Sequence, residues 1–136
     1  MSTPAVQSYM TPCPVTIQRG SSLSQADALM RQHRIRHLPV VDGQVLVGLL
    51  SQRDIQLLSN LRGLYGDDIT VEETMSTAPL QVASDTSVEA AAQLMWERKF
   101  GSVIVADRGK IVGLFTTTDA LRALIELLAR ARHKPV

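Results

Sequence analysis

One cysteine stands among 136 residues, so Cys13 has no partner for a disulfide or a cysteine-based metal site. Aromatic side chains make up only 4% of the chain, and Trp96 with the scattered remainder gives no stacking platform for single-stranded nucleic acid. Neither sign of charge predominates, since 14 Lys and Arg against 13 Asp and Glu leave a formal charge of +1. Such a chain lacks the electrostatic footprint of a general nucleic-acid binder. The basic tail from Arg130 to Lys134 is too short to change that. No apolar run approaches the roughly 18 residues of a membrane-spanning helix, and the densest, Val45 to Leu50, is strand-sized. The opening Met1-Ser2-Thr3-Pro4 carries no basic stretch followed by an apolar one, so no signal peptide is read. These absences point to the cytoplasm, with neither nucleic acid nor membrane as partner. What is present is 45% apolar residues, enough for a packed core.

The informative feature is internal. Val6 to Leu58 aligns without a gap onto Val71 to Ala123 at a constant offset of 65, with 13 of 53 positions identical. Average residue frequencies give about 3 or 4 by chance. The period exceeds the roughly 20–50 residues of solenoid repeats. Two copies of one small module are therefore expected, packed against each other rather than strung in an array. The boundaries read as 1–60 for the first copy, 61–70 for a linker and 71–136 for the second copy with its C-terminal helix.

Each copy shows the same pattern of elements, β-α-β-β-α. A short strand, Val15 to Ile17 or Leu80 to Val82, precedes a helix. Ser22 with Gln25 has capping-box spacing, and Thr86 with Glu89 reads as the same device one residue earlier. Leu23, Ala26 and Met30 share a helical face, as do Val88, Ala91 and Met95. Asp42-Gly43 and Asp107-Arg108-Gly109 then join two apolar runs each, a strong hairpin signal. A second helix starts near Asp54 and near Asp119, and the segment Ser59 to Thr70 reads as loop. One copy thus offers a three-stranded sheet with two helices, too little to be comfortable alone. The expected fold is α/β (α+β), with the two repeats packed sheet to sheet about a pseudo-twofold axis and clefts where they meet.

The strand-to-helix junctions are the best site candidates. Gly48-Leu49-Leu50-Ser51-Gln52-Arg53-Asp54 aligns with Gly113-Leu114-Phe115-Thr116-Thr117-Thr118-Asp119. One reading is structural: Ser51 and Thr116 cap the helices, and the Asp three residues on complements the helix dipole. The other is functional: a helix N-terminus presents free amides and a hydroxyl to an anion, while the carboxylate accepts from a vicinal diol such as that of a ribose.

With these residues in view, the chain from Val6 to about Leu128 resembles a tandem pair of cystathionine-β-synthase (CBS) domains, a Bateman module. The likeness rests on Met10-Thr11 and Met75-Ser76 ahead of the first strands, on Ile35-Arg36-His37-Leu38-Pro39-Val40-Val41-Asp42, and on the two [Ser/Thr]-x-x-Asp junctions. It implies a regulatory, non-enzymatic protein with no cofactor, binding an adenosyl ligand (AMP, ADP, ATP or S-adenosylmethionine) in clefts between the copies. By this resemblance Ser51 and Thr116 meet phosphate, and Asp54 and Asp119 meet ribose. Thr16, Ile17, Gln81 and Val82 line the adenine pocket, and the position before the second strand, His37 or Ser102, is a phosphate contact. Ile104 stands where the first copy has Pro39, a departure from the family pattern.

The copies differ in charge. Arg34, Arg36, His37 and Arg53 surround the first junction, where the second has Lys99, Gly101, Ser102 and Thr118. The first site is expected to prefer a charged nucleotide, and the second to bind more weakly or to prefer a less anionic adenosyl ligand. Other chemistry is poorly supported. His33 and His37 do not share a helix face, because the helix ends between them, and Cys13 lies between two prolines with no evident base. Gly48 and Gly113 are single strand glycines, not a phosphate loop. On the last helix, Leu121, Leu124, Ile125 and Leu128 form a stripe suited to burial, any remainder favouring self-association. The resemblance implies a homodimer and a separate regulated partner. The competing reading is a structural or interaction homodimer with vestigial clefts.

Overall fold

The computed structural model describes residues 3–12, 15–62 and 66–133. Cys13, part of the expected linker (63–65) and Lys134 lie outside the described residues. In chain order the elements are a 3-10 turn at Val6–Ser8, β1 (Thr11–Pro12), β2 (Ile17–Gln18), α1 (Leu23–His33), β3 (His37–Asp42), β4 (Val45–Ser51) and α2 (Gln52–Arg62). A second 3-10 turn at Gly66–Asp68 follows, then α3 (Val71–Thr74), β5 (Ser76–Thr77), β6 (Gln81–Val82), α4 (Val88–Arg98), β7 (Ser102–Asp107), β8 (Lys110–Thr116) and α5 (Thr117–His133). The chain forms two compact units, residues 15–79 and residues 1–14 with 80–136.

The unit of residues 15–79 holds a four-stranded sheet in the order β2-β3-β4-β5, parallel between β2 and β3 and antiparallel elsewhere. Leu23, Ala26 and Met30 bury the expected face of α1 against Leu38, Val40 and Leu50 of the sheet. Burying each such side chain contributes roughly 1.5–3 kcal/mol. Ser22 caps α1, its hydroxyl accepting from the Gln25 amide at 3.1 Å while Gln25 accepts from the Ser22 amide at 2.9 Å. The other unit repeats this plan in a sheet ordered β1-β8-β7-β6, with Val88, Ala91 and Met95 of α4 packed on Val103, Val105 and Phe115.

Each sheet gains a fourth strand beyond the three expected, and it comes from the segment leading the other copy. β5 pairs with β4 in one unit, and β1 pairs with β8 in the other. Equivalent backbone hydrogen bonds hold both segments. Leu23 N donates to Ile69 O at 2.9 Å and Val71 N to Ser21 O at 2.8 Å. Their counterparts, Val88 N to Pro4 O and Val6 N to Thr86 O, are both 2.8 Å. The compact units therefore depart from the sequence boundaries 1–60 and 71–136, because each leading segment completes the edge of a sheet that its own copy does not build. Gly48 and Gly113 make room for this. A Cβ on Gly48 would stand 2.8 Å from Ser76 O, and one on Gly113 2.8 Å from Thr11 O and 2.7 Å from the Met10 sulfur.

Three local expectations are corrected. Ser87, not Thr86, caps α4: its hydroxyl accepts from Ala90 N at 3.0 Å. Thr86 instead spends its amide on Ala83 O and its carbonyl on Val6 N. The segment Ser59–Thr70 is not a plain loop, since α2 continues to Arg62 and a 3-10 turn follows at Gly66–Asp68. Thr70 with Glu73 then forms a capping box that starts α3. Finally, the α5 stripe is not buried within its unit. Leu121, Leu124, Ile125 and Leu128 are 51–67% exposed, while the core face of the helix is carried by Ala123 and Asp119.

Gly113→Ala is expected to destabilise the chain by about 1–3 kcal/mol, because the new methyl meets fixed backbone. Gly43→Ala, at φ +65° with open space around it, should cost only about 1–2 kcal/mol of left-handed strain. Urea unfolding compares the two; a Gly113→Ala midpoint equal to wild type would show that β1 does not lie against β8.

Candidate functional site

The first junction is built where β4 stops and α2 starts. Ser51 and Asp54 satisfy each other's backbone: the Ser51 hydroxyl accepts from Asp54 N at 3.1 Å, and Asp54 Oδ2 accepts from Ser51 N at 3.3 Å. The structural reading of the motif is therefore true as far as it goes, since the pair caps α2. It does not use the motif up. Asp54 is half-buried, and among the described residues its Oδ1 has no hydrogen-bond partner. The Ser51 hydroxyl keeps its proton to donate.

Sheet register brings the other first-copy candidates to the same end. His37 stands directly across from Ser51, and Gln52 N donates to Arg36 O at 2.8 Å. Leu38 and Val40 point into the core, so strand alternation puts His37 and Pro39 on the opposite face. Thr16 is exposed one residue before β2, which runs parallel to β3 with Ile17 opposite Val40. The Ile17 side chain belongs to the core, so only its main chain is offered to a ligand. Pro39 is fully buried. Arg34, Arg36 and Arg53 are exposed. Burial pushes the His37 imidazole below its ordinary value; the Asp54 carboxylate works against that and the Arg36 cation adds to it. His37 is thus neutral at pH 7, within the field of the Asp54 carboxylate and the Arg36 cation.

The second junction has the same backbone and a different state. Asp119 Oδ2 accepts from Thr116 N at 2.9 Å and from the Thr116 hydroxyl at 3.1 Å. The Thr11 hydroxyl donates to Oδ1 at 3.3 Å and to Oδ2 at 3.4 Å. Asp119 is only 7% exposed. Ser102 faces Thr116 across β7 and β8 and is buried. Gln81 and Thr118 are exposed, while Val82 packs partly on the core. The ammonium of Lys99, which aligns with Arg34 of the first copy, lies 4.1 Å from the centre of the Trp96 ring. Thr11 is the residue that inspection of the junction motifs misses. Its only signal is its place in the repeated Met-[Thr/Ser] pair at 10–11 and 75–76.

Paired αβ repeats with hydroxyl–carboxylate junctions define a class of duplicated modules, and comparison assigns the family. The CBS domain model matches residues 6–58 and 68–126, so the chain belongs to the CBS-domain family and carries two copies of the domain. It is 32% identical over 115 residues to the CBS domain-containing protein YhcV of Bacillus subtilis, covering 85% of this chain and 81% of that one. The structure of CBSX2 in complex with AMP aligns at TM-score 0.74 and 30% identity, over 92% of this chain and 98% of the other. The CBS domain pair of MJ0100, in complex with 5′-methylthioadenosine and S-adenosyl-L-methionine, aligns at TM-score 0.81 and 26% identity, over 93% and 99%. Inosine-5′-monophosphate dehydrogenases also match, but the chain spans only 20–23% of their length. Among the described residues no helix is long and apolar enough to cross a membrane.

The depressed His37 value carries a sign. The unfolded chain takes up the proton first, so this group's stabilising effect is complete above pH 6.5 and is lost as pH falls below it toward the folded value. His37→Gln should flatten that part of the acid slope. Identical stability profiles between pH 7 and pH 5 for the two proteins would show that His37 is not its source.

Proposed function

We propose that the chain is a regulatory sensor of adenosyl ligands, without catalysis of its own, working in the cytoplasm. The observation that carries this reading is the half-buried Asp54, with one carboxylate oxygen unclaimed among the described residues, set beside the Ser51 hydroxyl and next in sequence to the exposed Arg53. A ribose diol donates to Asp54. A phosphate accepts from the Ser51 hydroxyl, from amides at the start of α2, and from Arg36, Arg53 or His37. The adenine ring lies toward Thr16, the Ile17 main chain and Pro39. Gln81, Val82, Ser102, Thr116, Thr118 and Asp119 form the corresponding set in the other unit, where fewer cations suit a less anionic adenosyl ligand. AMP in CBSX2, and methylthioadenosine with S-adenosylmethionine in the MJ0100 pair, support this ligand class. The ligand acts by shifting the population of conformations that a separate regulated partner reads.

A second observation supports self-association. The stripe Leu121, Leu124, Ile125 and Leu128 follows i, i+3, i+4, i+7 spacing, the seam against which another helix packs. Trp96 of α4 and Phe100 just beyond its end add exposed apolar surface in the same unit. A homodimer through α5 fits both the sensing reading and the competing one, an interaction module with vestigial sites.

Thermal shift separates those two. AMP or S-adenosylmethionine at about 100 times its dissociation constant should stabilise the chain by roughly 2.7 kcal/mol, and Asp54→Ala should erase the effect. No shift with AMP, ADP, ATP or S-adenosylmethionine at millimolar concentration would leave the interaction module as the reading. For the dimer, Leu124→Glu combined with Leu128→Glu should convert the sedimenting species to a monomer; an unchanged sedimentation coefficient would place the interface elsewhere.

A further inference from the structure

We infer that Thr11 decides which junction takes the ligand: its hydroxyl occupies the Asp119 carboxylate, so the chain binds one adenosyl ligand, at Asp54, until that contact is released. This rests on the sensing reading above and goes beyond it by assigning the stoichiometry and the residue that sets it.

The two junctions start from one motif at an offset of 65, yet their carboxylates are engaged differently. Among the described residues Asp54 accepts a single hydrogen bond, from Ser51 N. Asp119 accepts from Thr116 N, from the Thr116 hydroxyl and from the Thr11 hydroxyl on both of its oxygens. Oδ2 takes both Thr116 donors, and the single Thr11 proton is shared between Oδ2 and Oδ1, so a sugar diol at Asp119 has to compete with Thr11 for the carboxylate. The residue aligned with Thr11 is Ser76, and among the described residues no hydrogen bond joins Ser76 to Asp54. The asymmetry thus has two sources, the Thr116 hydroxyl within the junction and Thr11 from the leading segment, and only Thr11 reaches Oδ1.

The Thr11 hydroxyl is held in place. β1 pairs Thr11 with Leu114 of β8. Upstream, Val6 and Tyr9 are buried, and the Arg122 guanidinium donates to Tyr9 O at 2.8 Å. Downstream of the anchor, Thr11 itself is exposed on a two-residue edge strand, so the hydroxyl can be removed without cutting into the core. A ligand whose sugar hydroxyls need Asp119 has to displace Thr11, and with it the edge of the sheet.

Calorimetric titration with AMP and with S-adenosylmethionine tests this on the full chain. Wild type should bind one equivalent per chain, lost in Asp54→Asn. Thr11→Val should bind two, and Asp54→Asn with Thr11→Val should recover one at the second junction. Thr11→Ser, which keeps the hydroxyl, should stay at one; Thr11→Ala serves in place of the valine variant if that variant unfolds. One equivalent in Thr11→Val, or two in wild type with one lost in Asp119→Asn, overturns the assignment to Thr11 and leaves the sensing reading standing. No uptake of either compound by wild type or by the Thr11 variants overturns the sensing reading and this inference together.

Discussion

Backbone lying on backbone at two glycines is the contact on which both units depend. A strand segment crosses Gly113 within 2.8 Å of where a Cβ would be, and another crosses Gly48 at the same separation. Without those crossings each sheet would have three strands and an unpaired edge, and one copy of about 53 residues has little apolar surface to spare. The crossing segment adds more than an edge. In the unit of residues 1–14 with 80–136 it brings Val6 and Tyr9 into the core, and in the other it brings Ile69 and Val71. Duplication therefore works here by exchange of leading segments, and the unit that folds is not the unit that repeats.

The same exchange reaches the candidate sites. In both copies a hydroxyl and a carboxylate three residues apart cap a helix, which is a structural task that any helix start poses. Whether the carboxylate has capacity left is settled by what the crossing strand sets beside it. Thr11 donates to Asp119, whereas among the described residues nothing donates to Asp54 Oδ1. Near the first junction a neutral His37 feels the Asp54 carboxylate and the Arg36 cation, while in the other unit Lys99 lies over the Trp96 face. The two copies of one motif thus differ in how their carboxylates are engaged.

The exposed face of α5 belongs to a separate problem. Its leucines and isoleucine obey helical spacing for burial, and sequence periodicity cannot say against what. Within the unit the core side of α5 is met by small or polar residues, Ala123 and Asp119, so the larger side chains remain uncovered. That is why a stripe readable as core becomes a surface fit for a second helix.

Periodicity and pairing chemistry made much of the molecule legible from residues alone. The 65-residue offset, the α1 and α4 core faces, both hairpins and the Ser22 cap depend on local spacing, which the chain carries in its own order. The Ser51–Asp54 and Thr116–Asp119 junctions were readable for the same reason. The Thr86 reading failed by one residue because Ser87 and Thr86 are both competent caps, and only the bond from Val6 to Thr86 O selects between them. The exchange of leading segments, the contact of Asp119 with a threonine 108 positions away and the exposure of the α5 stripe were decided by tertiary structure. Each depends on which distant backbone comes to rest beside a strand or helix, and no local pattern encodes that choice.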